Sequence, residues 1–113
     1  MHQQSSRQLQ QVNTALAPHD VLDAAVIHFS RRSGVYAAFL ERRSATHVAL
    51  RGQGGEEIVI GAEAIANGTS VSGSTYMFDQ QVARFLATLP PYVAPPVLEE
   101  PVPDAGDVAP VSA

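Results

Sequence analysis

Two short segments of this chain carry an apolar stripe with helical spacing. In residues 18–32 and again in residues 80–89, apolar side chains recur at positions i, i+3, i+4 and i+7, which aligns them along one face of an amphipathic helix. Both stripes need apolar surface to cover them, and the chain between them has to supply it. The side chains that we predict to be buried there are Leu22, Val26, Phe29, Val82, Phe85 and Leu86.

The residues between the two stripes have the pattern of short strands separated by turns. Four runs are rich in β-branched or aromatic residues, as strands are; they occupy residues 35–41, 46–51, 56–64 and 69–78. The glycines of 52–55 and the Asn-Gly pair at 67–68 predict tight hairpins. A further run, 8–16, fits a strand or a helix by periodicity alone.

Helix ends are marked by residues with characteristic cap preferences. Pro18 suits a first helical turn, and Gly34 is the expected stop of the same helix. Asp79 is the expected N-cap of the second helix, which Pro90 then ends. These signals predict two helices with strands before and between them.

The predicted fold class is therefore α+β, in the order β-α-β-β-β-β-α. We expect a four- to five-stranded antiparallel sheet with both helices packed on one face. The domain is expected to span residues 8–89, after a flexible N-terminus of residues 1–7. Residues 90–113, rich in proline and acidic side chains, form a C-terminal segment that we call the arm.

Charge is divided unevenly between the domain and the arm. Residues 1–89 hold all seven basic residues, every one an arginine, against seven acidic residues, whereas four acidic residues in the arm give the net charge of −4. No global basic field therefore attracts nucleic acid or an anionic membrane. Because cysteine is absent and no apolar run has membrane-spanning length, we expect a cytoplasmic protein without direct membrane insertion.

The segment VNTALAPHDVLDAAVIHF, residues 12–29, resembles the start of helix-grip domains, the START-like or polyketide-cyclase-like proteins. In that family a strand runs into a proline-led amphipathic helix, which is followed by an antiparallel sheet and a closing C-terminal helix. The resemblance covers residues 8–89 and implies that residues 8–16 are a strand. It also implies an alternative function, namely a reduced pocket for a small apolar molecule or a cyclase-like enzyme, with a lining of Tyr36, Phe39, Tyr76 and Phe85.

Catalytic, metal and cofactor sites have no convincing pattern in this sequence. The stretch GTSVSG, residues 68–73, approaches a nucleophile elbow, but Ser70 lies within a predicted strand and alternates with apolar residues, as on a sheet with one solvated face. The histidines have no i, i+4 spacing and no neighbouring cysteine; they are His2, His19, His28 and His47. We predict no catalytic residue, no metal and no cofactor.

Three arginines around one predicted hairpin leave two interpretations open. Arg42 and Arg43 fall in the loop between two strands, and Arg51 faces them across the sheet. They form either an anion site or ordinary solvated pairs with Glu41 or Glu63.

The arm begins with PPYVAPPVLEEPVP, residues 90–103, which holds six of the eight prolines in the chain. Proline fixes φ and lacks an N–H, so this stretch predicts an extended, polyproline-like segment. It is either a spacer or a docking arm, and its apolar side chains are larger than a spacer requires. The residues that we expect to bind a partner are Tyr92, Val93, Pro95, Pro96, Val97 and Leu98.

Our leading hypothesis is a non-enzymatic accessory or scaffolding subunit that docks onto a larger protein assembly through the arm. A respiratory or photosynthetic membrane complex, approached from its cytoplasmic side, is one example of such a host. A solid core between sheet and helices would favour this hypothesis, and an aromatic-lined cavity there would favour the helix-grip pocket.

Overall fold

Seven elements follow one another in the predicted order β-α-β-β-β-β-α. The computed structural model describes residues 8–31, 34 and 37–96. The elements are β1 (Gln8–Thr14), α1 (Pro18–Arg31), β2 (Ala38–Arg43), β3 (His47–Gly52), β4 (Glu57–Ile65), β5 (Gly68–Thr75) and α2 (Asp79–Thr88). The predicted flexible N-terminus, the aromatic side chain of Tyr36 and the arm from Val97 onward lie outside the described residues.

The five strands form one antiparallel sheet in the order β1-β5-β4-β3-β2. Both helices cover the same face, α1 over β2, β3 and β4 and α2 over β1 and β5. The fold class predicted from the sequence is confirmed. We call the opposite face of the sheet the open face. Neither helix of the described part of the chain is long and apolar enough to cross a membrane.

The core between the sheet and the helices is closely packed. The rings of Phe29 and Phe85 lie 5.4 Å apart and join the two helices. Gly73 of β5 lies so close to α2 that a Cβ on it would be 2.5 Å from Cγ1 of Val82. Five of the six predicted core side chains are buried, whereas Val26 is half-buried at the edge of the cluster.

The second strand lies further along the chain than the sequence pattern predicts. We expected it at residues 35–41, whereas β2 runs from Ala38 to Arg43. Its ladder with β3 shifts by one residue between Leu40 and Arg42, so β2 contains a bulge that lets the pairing continue. Arg42 and Arg43 are therefore strand residues and do not lie in a loop.

The second helix begins differently from the prediction. Asp79 is the first residue of α2 rather than its N-cap, which is Phe78, and no side chain caps this end. The ring of Phe78 belongs to the buried core. Its N–H donates to Oγ1 of Thr75, at 3.2 Å, where β5 ends. Burial of the Phe78 ring thus sets the N-cap at residue 78, whereas local capping preference indicated Asp79.

The β4–β5 hairpin also turns one residue earlier than predicted. Ile65 pairs with Gly68, which leaves Ala66 and Asn67 as the two turn residues. Asn67 has a positive φ of 66°, which a type II turn requires at its second central residue, whereas Ala66 does not have a positive φ. Gly68 belongs to β5, where a Cβ would collide with the backbone carbonyl oxygen of Thr14. The glycine is therefore needed for close approach to β1.

Candidate functional site

The first three residues of the arm are fixed to the end of the sheet. Oγ1 of Thr14 donates a hydrogen bond to the carbonyl oxygen of Pro90 at 2.6 Å, and Thr14 forms an antiparallel bridge with Pro91. The hydroxyl of Tyr92 donates to the carbonyl oxygen of Ala66 at 2.7 Å. Thr14 itself is fully buried. We call residues 90–92 the arm base, because their contacts belong to the domain.

Residues 93–96 leave the domain immediately after this base. Val93 is 71% exposed, and residues 94–96 are exposed and in neither helix nor strand. Of the predicted partner-binding residues, Tyr92 is half-buried against the domain, whereas Val93, Pro95 and Pro96 are accessible. Val97 and Leu98 lie outside the described residues.

The three described aromatic residues of the expected pocket lining, Phe39, Tyr76 and Phe85, do not come together. Phe85 is fully buried in the core, whereas Phe39 is 59% exposed on the open face, because it alternates with the buried Ala38. Tyr76 is exposed after the end of β5. Within residues 8–31, 34 and 37–96, these side chains surround no common cavity between sheet and helices.

Around β5 and the neighbouring part of β4, the open face is lined by small and polar side chains. Ser70, Ser72 and the other outward residues of β5 alternate strictly with buried ones, as the sequence pattern predicts. Gly61 of β4 lies between two polar groups: a Cβ there would be 2.7 Å from Oγ of Ser72 and 3.0 Å from Nε2 of His47. A shallow depression of about 320 Å³ follows this row of residues. The depression is open at its floor because Gly61 has no side chain to fill it.

The β2 bulge decides where the two adjacent arginines lie. Because the ladder shifts after Leu40, Arg42 pairs with Ala49 and lies on the open face. Arg43 lies on the helix side, where its guanidinium is 2.8 Å from the carboxylate of Asp23 in α1. Neighbouring strand residues point to opposite faces, and the bulge decides that Arg42 rather than Arg43 lies on the open face.

Other charges of the open face form local ion pairs. Arg51 binds Glu41 through two hydrogen bonds of 2.9 and 3.1 Å. This hydrogen bond from Arg51 is the main cause that lowers the pKa of the Glu41 carboxyl and raises that of the guanidinium. Arg42 makes a longer contact with Glu57, of 3.5 Å. Solvated pairing with Glu41 or Glu63 was one of the two sequence interpretations; the structure shows the pair with Glu41, and these pairs do not include Glu63.

No metal-binding constellation occurs in the described part of the chain. Residues 8–31, 34 and 37–96 contain no group of three histidine, aspartate or glutamate side chains that could hold a metal ion. His19 instead forms a contact of 3.2 Å with Asp23 one helical turn away. His47 lies beside Oγ1 of Thr46, at 2.8 Å from its Nδ1.

Comparison with known proteins gives similarity at the level of the fold. No family model matches the sequence, and a search of curated proteins found no match. Among solved structures, the Aha1 dimer from Colwellia psychrerythraea, determined in solution, is similar with a TM-score of 0.55 and 12% sequence identity. The match covers 73% of this chain and 91% of that one. It supports the coarse helix-grip resemblance of the fold.

Proposed function

We propose that this protein is a non-enzymatic accessory or scaffolding subunit that docks onto a larger protein assembly through its arm. The observation that carries the proposal is the abrupt change at Tyr92. The chain is hydrogen-bonded to the domain up to that residue, and apolar, exposed residues come directly after it, from Val93.

A fixed base and a stiff segment favour docking for an entropic reason. Binding costs free energy for every chain segment that becomes ordered, so a segment that is already restricted loses less. Pro95 and Pro96 restrict the backbone after the anchored Tyr92. Extended proline-rich segments of this kind are recognised in grooves through their apolar side chains. Val93, Val97 and Leu98 supply these side chains.

The packing of the domain does not favour the helix-grip pocket. A ligand between α2 and the sheet would need space where Gly73 and Val82 are in direct contact. The rings of Phe29 and Phe85 fill the region between the two helices. The domain therefore offers no space for a ligand in its core, and we propose that the arm is the part that binds the partner.

Partner recovery from the native host tests this function. We expect full-length protein to co-purify with subunits of one assembly under mild conditions, and a variant that lacks residues 93–113 to lose them while its domain stays folded. Glu99→Ala with Glu100→Ala should retain them, because charges at the rim of an interface mainly change association rates and salt dependence. Equal recovery by the full-length and truncated proteins would reduce the arm to a spacer.

A further inference from the structure

A second depression on the open face has an apolar floor and a cationic rim. Its volume is about 590 Å³, and it is lined by Arg42, Arg43, Ser44, His47, Ala49 and Val59. Arg43 borders it at the end of β2, although its guanidinium binds Asp23 on the helix side. We call it the Arg42 depression. It lies on the side of the sheet that the helices do not cover, so it is separate from the core and from the arm base.

The floor is aliphatic because of the strand register. Ala49 of β3 and Val59 of β4 are directly paired, so their side chains lie next to each other on the open face. Arg42 pairs with Ala49 from the other side and extends the same row. A cation thus stands at the end of an apolar strip two strands wide.

Of the two arginines at this rim, Arg42 makes the weaker contact with other side chains of the protein. Its side chain is 71% exposed, and its contact with Glu57 measures 3.5 Å. Exposed pairs of this length contribute little stability. Glu57 also lies 3.8 Å from Arg51, so it keeps a cationic neighbour when Arg42 turns away. Arg43, by contrast, is held by Asp23 at 2.8 Å.

Ser44 adds a hydrogen-bond donor to the same rim. Its Oγ accepts the backbone N–H groups of Thr46 and His47, at 3.3 and 3.1 Å. A hydroxyl that accepts two hydrogen bonds still has its own hydrogen to donate. The two contacts also hold the β2–β3 turn in place, so this donor is positioned before any ligand arrives.

We propose that the Arg42 depression binds a small organic monoanion. Arg42 and Ser44 hold its carboxylate, and its aliphatic body lies over Ala49 and Val59. One arginine without a short ion pair matches a single negative charge. The lining contains no Phe, Tyr or Trp ring to stack on a base, so an aliphatic carboxylate fits this site better than a nucleotide does.

Octanoate is the probe that tests this site in the full-length protein. We expect NMR titration to shift the backbone amides of Ser44, His47, Ala49 and Val59 in a saturable manner, with a Kd of about 1 mM. Octylammonium, which has the same chain length and the opposite charge, should not produce these shifts. No saturation by octanoate, or equal shifts with octylammonium, would overturn the proposal.

Three substitutions of exposed or partly exposed side chains sharpen the titration. Arg42→Gln should raise the Kd for octanoate about tenfold, since it removes a charge-assisted hydrogen bond. Glu57→Gln should lower the Kd, because it removes the carboxylate that competes for Arg42. Arg84→Gln, at an exposed arginine of α2, is the matched control and should leave the Kd unchanged. An unchanged Kd in Arg42→Gln, or shifts centred on Val82 and Phe85, would overturn the assignment.

Discussion

Replacing Phe85 with alanine is expected to lower the free energy of unfolding by about 3–5 kcal/mol. The side chain is fully buried, and its ring lies 5.4 Å from both Phe29 and His28 of α1. Truncation therefore leaves a cavity where the two helices meet above the sheet. Since small domains have little stability in reserve, this substitution should bring the protein close to unfolding at physiological temperature. Denaturant unfolding followed by circular dichroism measures the loss.

Phe39→Ala is the matched control for this prediction. It removes the same side chain from the open face, where Phe39 is 59% exposed. Surface substitutions of this kind usually change stability by no more than about 0.5 kcal/mol. Equal losses in the two variants would mean that α2 does not pack on the sheet through Phe85.

Deleting the whole arm is expected to destabilise the domain, whereas a deletion that spares the arm base is not. Removal of residues 90–113 takes the carbonyl acceptor of Pro90 away from the buried hydroxyl of Thr14 and also removes the hydrogen bond of Tyr92. A buried polar group without a partner costs about 1–3 kcal/mol. Thermal melts should show a decrease of about 4–8 °C for each kcal/mol lost.

Two further variants separate the arm base from the rest of the arm. Deletion of residues 93–113 removes only the residues beyond Tyr92 and should leave the melting temperature within about 2 °C of the full-length value. Thr14→Val in the full-length protein removes the hydroxyl that binds Pro90 and should reproduce part of the loss. If both deletions melt at the same temperature, the contacts of the arm base contribute nothing to stability.

Periodicity was sufficient to predict the elements from α1 to α2 and their order. The stripes that include Leu22, Phe29, Val82 and Phe85 are set by the geometry of a helix, and all four side chains are buried. The alternation along β5 likewise predicted its solvated face. The assignment of residues 8–16 as a strand depended on the helix-grip resemblance, and β1 confirms it for residues 8–14.

Details that depend on long-range contacts were not predictable from the sequence. The start of α2 is set by burial of Phe78, whereas Asp79 carries the stronger local capping preference. The β2 bulge results from the pairing of Leu40 and Arg42 with β3, and no glycine marks it in the sequence. Local propensity depends only on neighbours along the chain, whereas the start of α2 and the β2 bulge are both set by contacts with residues of other elements.

In the candidate sites, too, features set by neighbouring residues in the sequence were predictable, and features set by contacts between distant residues were not. The composition of the arm predicted the exposure of residues 93–96, which is a matter of local chemistry. The hydrogen bond between Thr14 and Pro90 joins residues 76 positions apart, and neither residue signals it. The arginine motif left two interpretations open because the choice depends on the bulge. That bulge places Arg42 on the open face and Arg43 on the helix side.

Site-specific photocrosslinking at Val93 tests most directly whether the arm is the docking element. A photoreactive amino acid at this exposed position, introduced into full-length protein in its native host, should give a discrete adduct with a subunit of the assembly. The same amino acid at exposed Arg84 of α2 should give none. Adducts from position 84 and none from position 93 would contradict the account, because they would place the partner on the domain and leave the arm without contact.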